Sequence, residues 1–267
     1  MALSNNLNAG LDSIMREKSF FNLESVTAII LSFVGGILDI YCLFNFDFYA
    51  TMHTGNIIKM VENLIDGNIE DFIFTILFIV FFTIGLFIAN SFEKKHNHKG
   101  VNGHLIICLV FFVFIFAIPN DNEPGVLSAF KLFSACICGF LGALLIHSFT
   151  HFGNYTYSST AMTSNMNRAV SNVYDRVITK DRKFNYGIAI YGLIFLFFIS
   201  GVVAGYAFMR LIPFPDTDFW NLYKYNFIIL IPIICVSIAY FINSKSQRKS
   251  EALEQTVQEE PQKEEDA

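Results

Sequence analysis

Long apolar stretches alternate with short polar segments along most of the chain. Six of these stretches approach the ~20 residues that a helix needs to cross ~30 Å of hydrocarbon. They lie at 25–44, 72–92, 104–119, 127–149, 186–211 and 224–242. The pattern predicts an all-α fold, a polytopic membrane helix bundle with six transmembrane helices. The third helix is the shortest of the six, and Pro119 ends it.

A polar interruption follows the first span and another follows the fourth. The first is MHTGN at 52–56, and the second is MTSN at 162–165. Beyond each of them the apolar residues recur with helical spacing, as on an amphipathic helix. Thr54 and Thr163 are good N-cap residues, so we predict that the chain breaks and restarts there as a short amphipathic or broken helix. The pattern does not decide whether these breaks lie at membrane depth or at the interface.

The two interruptions belong to an internal repeat. Residues 45–63 align with residues 154–172 at a shift of 109, with six identities in nineteen positions, Asn56 meeting Asn165 among them. Each copy carries three helices, and because three is an odd number the second copy must enter the membrane from the opposite face. This predicts two inverted three-helix repeats, the plan of many secondary transporters. A purely architectural duplication is the alternative.

Basic residues divide unevenly between the two sides of such a bundle. Of the 18 Lys and Arg residues, fourteen fall on the side of the N-terminus and four on the other side. By the positive-inside rule, both termini are expected in the cytoplasm. The predicted segments are a polar cytoplasmic N-terminus (1–24), a first three-helix repeat (25–119), an outer loop (120–126), a second three-helix repeat (127–242) and an acidic, disordered cytoplasmic tail (243–267).

The composition agrees with a membrane protein. Hydrophobic residues make up 54% of the chain and charged residues 15%, whereas a soluble domain carries about 25% charged residues. All five cysteines lie in apolar stretches, which favours buried thiols over disulfides or a metal site. We therefore expect no cofactor, no metal and no nucleic-acid partner. The lipid bilayer is the expected partner, and self-association into a homo-oligomer is left open.

The interruptions also supply the candidates for a binding site. If the first lies within the bundle, Thr54, Gly55 and Asn56 offer free backbone N–H groups, polar side chains and the positive end of a helix dipole. Together these features suit a small polar or anionic solute. The candidates in the second repeat are Thr163 and Asn165, and the candidate charge partners are Lys59 and Arg168. The alternative for the two cations is that their side chains extend to the membrane interface.

Asp39 is the only Asp or Glu inside the six predicted spans. Placing a carboxylate near the bilayer centre costs roughly 2.5–3.5 kcal/mol on insertion scales. We interpret Asp39 as a candidate for proton or cation coupling, with a partnered structural carboxylate as the alternative. His147 follows it by 108 residues, close to the equivalent position of the repeat, and is a further candidate for solute binding. His147 and His151 share a helical face, but two ligands are too few for a metal site.

With these motifs in view, the chain resembles the YoaK-like family of bacterial six-span membrane proteins, which carry a domain of unknown function. The resemblance rests on Gly-x-x-Asp in the first span, here Gly36 and Asp39, and on MHTGN at 52–56, which approaches the family's Met-Thr-Gly-Asn. It covers residues 25–242. The resemblance implies an integral, multi-pass protein of the bacterial cytoplasmic membrane and supplies no substrate.

The second repeat departs from this family at two positions. Ser164 stands where the family's second copy usually keeps a glycine, and His147 stands near a usual glutamine. These departures bear on whether the two halves of the candidate site are equivalent.

These patterns predict a protein that transports or binds a small polar or anionic solute between two repeats. One alternative is a non-transporting membrane scaffold or sensor that acts through its cytoplasmic tail. A second alternative is a membrane-embedded enzyme, but the chain contains neither G-x-S-x-G nor H-E-x-x-H. We therefore expect no catalytic residues.

Overall fold

A computed structural model describes residues 23–96, 100–119, 129–148, 151–152, 155–158, 160–181, 184–215, 217–245 and 248. Three of the predicted segments fall outside these residues, wholly or in large part. They are the polar N-terminus up to residue 22, the outer loop at 120–126 and the acidic tail from residue 249 onward.

The described chain is helical apart from one short antiparallel bridge, which confirms the all-α prediction. The helices are α1 (Leu23–Phe46), α2 (His53–Ile65), α3 (Ile69–His96), α4 (Gly100–Ala117), α5 (Ala129–Ser148), α6 (Met162–Thr179), α7 (Phe184–Leu211) and α8 (Asp218–Tyr223). A last span, α9 (Asn226–Lys245), opens with a 3₁₀ turn at Asn226–Ile229. The bridge pairs β1 (His151–Phe152) with β2 (Tyr155–Thr156).

Five of these helices are long and apolar enough to cross a membrane. They are α1, α3, α5, α7 and α9, through the stretches Ser25–Phe46, Ile69–Phe92, Ala129–His147, Phe184–Leu211 and Asn226–Lys245. The helix predicted as the third span forms as α4, but its apolar part is the shorter stretch Asn102–Ala117. The chain is therefore a multi-pass membrane protein, and each predicted apolar stretch forms a helix.

The spans pair across the sequence rather than in chain order. α1 makes its most extensive contacts with α7, and α5 makes its most extensive contacts with α3. α1 and α5 also touch each other, so that they form the centre of the bundle. Most of the spanning stretch of α1 and of α5 is accordingly buried, whereas only a third of that of α3 or α7 is.

Glycines allow the backbones to come close where these helices cross. A Cβ built on Gly36 of α1 would lie 2.2 Å from the backbone oxygen of Phe198, and Gly201 of α7 approaches the backbone of α1 as closely. In the other pair, a Cβ built on Gly85 would lie 2.8 Å from the backbone oxygen of Phe140. Small residues at such crossings are typical of membrane helix packing.

A buried polar tie holds the ends of three helices together. The hydroxyl of Tyr41 on α1 donates to Oδ1 of Asn226, the first residue of α9, over 2.9 Å. Asn226 in turn donates through Nδ2 to the backbone oxygen of Ile118, just beyond α4, over 2.6 Å. A polar group away from water is costly unless it is paired. These hydrogen bonds therefore fix the position of the end of α4 and of the start of α9 relative to α1.

Each short helix turns directly into the span that follows it. Gly67 joins α2 to α3 with a φ of +78°, a left-handed conformation that glycine adopts without strain. At the end of α6, Lys180 takes a similar left-handed conformation with a φ of +57°. As a result α2 packs against α3, and α6 packs against α7.

Candidate functional site

The loop between α1 and α2 folds back into the bundle and reaches Asp39. Thr51 donates its backbone N–H to one carboxylate oxygen of Asp39 over 2.9 Å and its hydroxyl to the other over 2.6 Å. Asp39 lies seven residues before Phe46, the end of α1, which is roughly 10 Å along a helix. The first interruption is therefore a re-entrant loop and lies well below the end of the span.

Two further contacts place the same loop at half the height of the bundle. The ring of His53, the first residue of α2, lies 3.5 Å from the ring of Phe82, centroid to centroid. Phe82 lies near the middle of the 28-residue helix α3. On the other side, a Cβ built on Gly142 of α5 would lie 2.1 Å from the backbone oxygen of Ala50. The first break therefore lies within the bundle and not at the end of the span.

The second interruption reaches the centre of the bundle as well. A Cβ built on Gly35 of α1 would lie 2.2 Å from the methyl carbon of Thr160. Gly35 and Asp39 are four residues apart, so they lie on one face of α1. The tips of the two loops, at Thr51 and Thr160, therefore meet the same face of α1 within one helical turn.

Each loop is joined to the helix that follows it by two hydrogen bonds of the same kind, made by one asparagine side chain. Oδ1 of Asn56 accepts from the backbone N–H of Tyr49 over 2.9 Å, and Nδ2 of Asn56 donates to the oxygen of Tyr49 over 2.7 Å. Asn165 makes the same two bonds with Ser158, the first of them over 3.1 Å. Both pairs are related by the shift of 109. The repeat read from the sequence is thus also a repeat of local structure.

The candidate charge partners also join each loop to the helix that follows it. Nζ of Lys59 donates to the backbone oxygen of Asp47 over 2.5 Å and also forms an ion pair with the Asp47 carboxylate. Arg168 donates through Nη1 to the backbone oxygen of Thr156. These contacts again match at the shift of 109. Each cation therefore binds the start of its own loop, a role that the sequence analysis did not consider.

The prediction of Thr54 and Thr163 as N-cap residues is wrong. α2 begins at His53 and α6 begins at Met162, and neither helix has a side-chain hydrogen bond at its N-cap. Thr54 and Thr163 are the second residues of their helices, and both are exposed. The reason is that Asn56 and the equivalent asparagine of α6 already tie the first helical turn to the loop, so that no threonine is needed there.

Both short helices are amphipathic, as predicted, and each turns an asparagine and a cation toward the protein. Asn56 and Lys59 of α2, and Asn165 and Arg168 of α6, face the protein. The exposed apolar residues are Ile57, Ile58, Val61, Leu64 and Ile65 on α2, and Met166, Val170, Val173, Val177 and Ile178 on α6. The outer side is nevertheless mixed, because exposed polar residues accompany these apolar ones: Thr54 and Glu62 on α2, and Thr163, Ser164, Asn167, Ser171 and Thr179 on α6.

Comparison with known proteins assigns the chain to a family. The model of a family described as a protein of unknown function (DUF1275) matches residues 27–222. The chain belongs to the DUF1275 family. No curated protein and no solved structure matches it significantly. The matched region of this DUF1275 protein contains Asp39, both re-entrant loops and both short helices.

The remaining candidates of this DUF1275 protein lie at different distances from the meeting point. His147 is half-buried in the last turn of α5. The shift of 109 makes Ser148, its neighbour, the sequence equivalent of Asp39. Gly55 is half-buried beside the ring of Tyr49. The assignment of these residues to solute binding stays a prediction.

Sequence analysis missed the two residues that form the loop tips. Thr51 and Thr160 are an identical pair of the aligned repeats, and that identity was the available signal. Both are buried, whereas Thr54 and Thr163, which were chosen instead, are exposed. The described part of the site therefore brings Asp39, Thr51 and Thr160 together.

A separate cavity of about 510 Å³ opens beside the end of α1. Its charged lining residues are Asp47, Lys59, Glu62, Asp66, Asp71 and Lys131. Neither Asp39 nor Asn56 belongs to the lining. Among the described residues no group of three or more His, Cys, Asp or Glu side chains is placed to hold a metal ion.

Proposed function

We propose that this DUF1275 protein transports a small polar or anionic solute across the bacterial cytoplasmic membrane. The observation that carries the proposal is the meeting of two re-entrant loops on α1, beside the buried carboxyl of Asp39. Interrupted helices at half depth are the usual place of substrate and ion sites in secondary transporters. Irregular backbone at that depth is tolerated where it is covered by protein or lines a watery path.

The proposal includes six spans in two inverted repeats. α4 has 18 residues, and at ~1.5 Å per residue its length of roughly 27 Å approaches the ~30 Å hydrocarbon layer. Exchanging the two repeats turns the α1–α7 pair into the α5–α3 pair, and these are the two most extensive helix contacts. The distribution of basic residues favours cytoplasmic termini, and the lipid bilayer is the proposed partner of the exposed apolar faces.

Asp39 is the proposed coupling group. Its hydrogen-bond donors among the described residues are the N–H and the hydroxyl of Thr51 and the backbone N–H of Ala50, and all three are neutral. A buried carboxylate without a cation is costly, so a proton or a bound cation would neutralise Asp39 during part of the transport cycle. Catalytic chemistry has no part in this proposal.

The two asparagines have a positioning role in the proposed mechanism. The side-chain amides of Asn56 and Asn165 each form hydrogen bonds to their own loop through both the oxygen and the nitrogen. They hold Thr51 and Thr160 at the meeting point, and the solute is expected to contact the loop tips and the free N–H groups of the first helical turns, including those at Thr54, Gly55 and Thr163.

Reconstituted protein tests this proposal. Proteoliposomes that contain a pH-sensitive dye would be given a panel of small neutral, anionic and cationic solutes, and solute-driven proton movement would be recorded. We expect at least one solute to drive proton movement in the wild type, and Asp39→Asn to abolish the signal at equal insertion. Glu70→Gln, a change to an exposed carboxyl on α3, should leave it unchanged. Unaltered movement in Asp39→Asn would remove Asp39 from the mechanism, and no proton movement with any solute would rule out proton-coupled transport.

A further inference from the structure

The first loop already contains a bound carboxylate. Thr51 presents a backbone N–H and a hydroxyl, and Asp39 accepts both, over 2.9 Å and 2.6 Å. The hydroxyl and the N–H together form a two-donor site for one carboxylate. This arrangement shows how a loop tip of this kind binds a carboxylate.

The second loop has the same parts without the acid. Thr160 is equivalent to Thr51, and Ser148 is equivalent to Asp39 in the repeat. Neither Ser148 nor its neighbour His147 carries negative charge. The second loop therefore lacks, at the equivalent position, the acceptor that the first loop supplies for itself.

The hydroxyl of Thr160 is left without an acceptor. Thr160 is 1% exposed, and its Oγ1 has no hydrogen-bond partner among the described residues. A buried hydroxyl that gives up its hydrogen bonds to water and gains none is unfavourable. Because such groups are rare in native proteins and call for an explanation, an absent ligand is the explanation that the repeat itself offers.

The N-terminus of α6 gives this position a positive potential, which favours an anion when Asp39, about one helical turn away along α1, is neutral. The 18-residue helix α6 begins at Met162, two residues after Thr160. The N–H of Met162 donates to the backbone oxygen of Thr160, and the N-terminus of the helix carries a partial positive charge. Arg168, one and a half turns further along α6, donates to the backbone oxygen of Thr156 in the same loop, so a cation contacts this loop.

We infer that the second loop binds the carboxylate group of an external solute, with Thr160 as its hydroxyl donor, in the way that the first loop binds Asp39. This inference rests on the proposed transport function and narrows its solute to small carboxylates. The solute carboxylate takes the part in the second loop that Asp39 takes in the first. The two repeats thus have different functions: the first binds Asp39, which is used for coupling, and the second binds the solute.

Equilibrium dialysis of the purified protein against radiolabelled formate, acetate and lactate tests the inference, with acetamide as the neutral match for acetate. We expect at least one acid to bind the wild type. Thr160→Val, which keeps the methyl group beside Gly35, should weaken that binding by about tenfold or more, as the loss of a hydrogen bond to a charged group does. Thr160→Ser should restore it. Thr83→Val, at an exposed position of α3, is the matched control and should bind as the wild type does.

A second variant rests on the alignment of the two repeats, in which Ser148 is equivalent to Asp39. Ser148→Asp supplies the acid that the first repeat contains, and it should abolish carboxylate binding while the protein remains monodisperse on gel filtration. Absence of binding of all three acids to the wild type would overturn the inference, as would equal binding by Thr160→Val. If Asp39-dependent flux is found only for solutes without a carboxylate, transport stands and this inference fails. Thr160-dependent binding without any flux would remove transport and keep the site.

Discussion

The carboxylate of Asp39 accepts two hydrogen bonds from Thr51, twelve residues further along the chain. This contact folds the chain after α1 back to half the height of the bundle. The equivalent residue of the second repeat, Thr160, reaches the same face of α1, but its hydroxyl has no partner among the described residues. Two threonines in equivalent positions therefore have opposite energetic roles.

The same substitution at these two positions should have different effects on stability. Thr51→Val removes a hydroxyl that donates to a buried carboxyl, and we expect it to lower the free energy of unfolding by about 1.5–3 kcal/mol. Thr160→Val removes a hydroxyl that has no partner in the described part of the chain, so the free energy of unfolding should stay the same or rise slightly. Thermal unfolding in detergent, without added solute, measures both. Equal losses in the two variants would contradict the contrast.

The hydrogen bonds that Asn56 and Asn165 make to their loops should be sensitive to the loss of the amide N–H donor. Asn56→Asp and Asn165→Asp each replace an N–H donor by an oxygen, which then faces a backbone oxygen at hydrogen-bond distance. We expect each change to cost about 1–3 kcal/mol in the free energy of unfolding, because a buried acceptor loses its donor. The matched control is Asn167→Asp, at an exposed position of α6, which should change stability little. A loss in the control as large as in these two variants would count against this account.

The close approach of the first loop to α5 gives a prediction about volume. Gly142→Ala would place a methyl group 2.1 Å from the oxygen of Ala50, so the loop or α5 has to move. Overpacking of this kind costs about 1–3 kcal/mol. Gly192→Ala on α7 meets nothing within 4 Å and should stabilise its helix by up to about 1 kcal/mol. Chemical denaturation of both variants measures the difference, and a tolerated Gly142→Ala would argue against contact between the loop and α5.

Hydropathy was sufficient to predict the apolar helices, five of which are long enough to cross a membrane, because crossing a membrane is a requirement on length and composition. The first predicted span, 25–44, forms as α1, Leu23–Phe46, and the fifth, 186–211, forms as α7, Phe184–Leu211. The ends differ by a few residues because helix ends depend on local turns. α4 falls short of the other spans, and the nearby Pro119 limits it as expected.

The parts of the site differed in how far the sequence could predict them. Asp39 and Asn56 stand out in the sequence as polar residues in or beside an apolar stretch, and both are buried, but their role in solute binding stays a prediction. Thr51, the partner of Asp39, could not be recognised in the same way. It contacts Asp39 only because the chain folds back on itself over twelve residues. Propensity favoured Thr54 as the N-cap, but the hydrogen bonds made by Asn56 start the helix at His53.

The depth of the first re-entrant loop is the most direct test of the central claim, that the chain breaks at half the height of the bundle. Spin labels at Met52→Cys, Ile58→Cys and Asp66→Cys, in a protein whose native cysteines are replaced, would be measured in lipid bilayers for contact with oxygen and with a water-soluble relaxing agent. The account predicts the greatest depth at the loop, at Met52, an intermediate depth at Ile58 and a headgroup position at Asp66. Three labels at the same headgroup depth would contradict it.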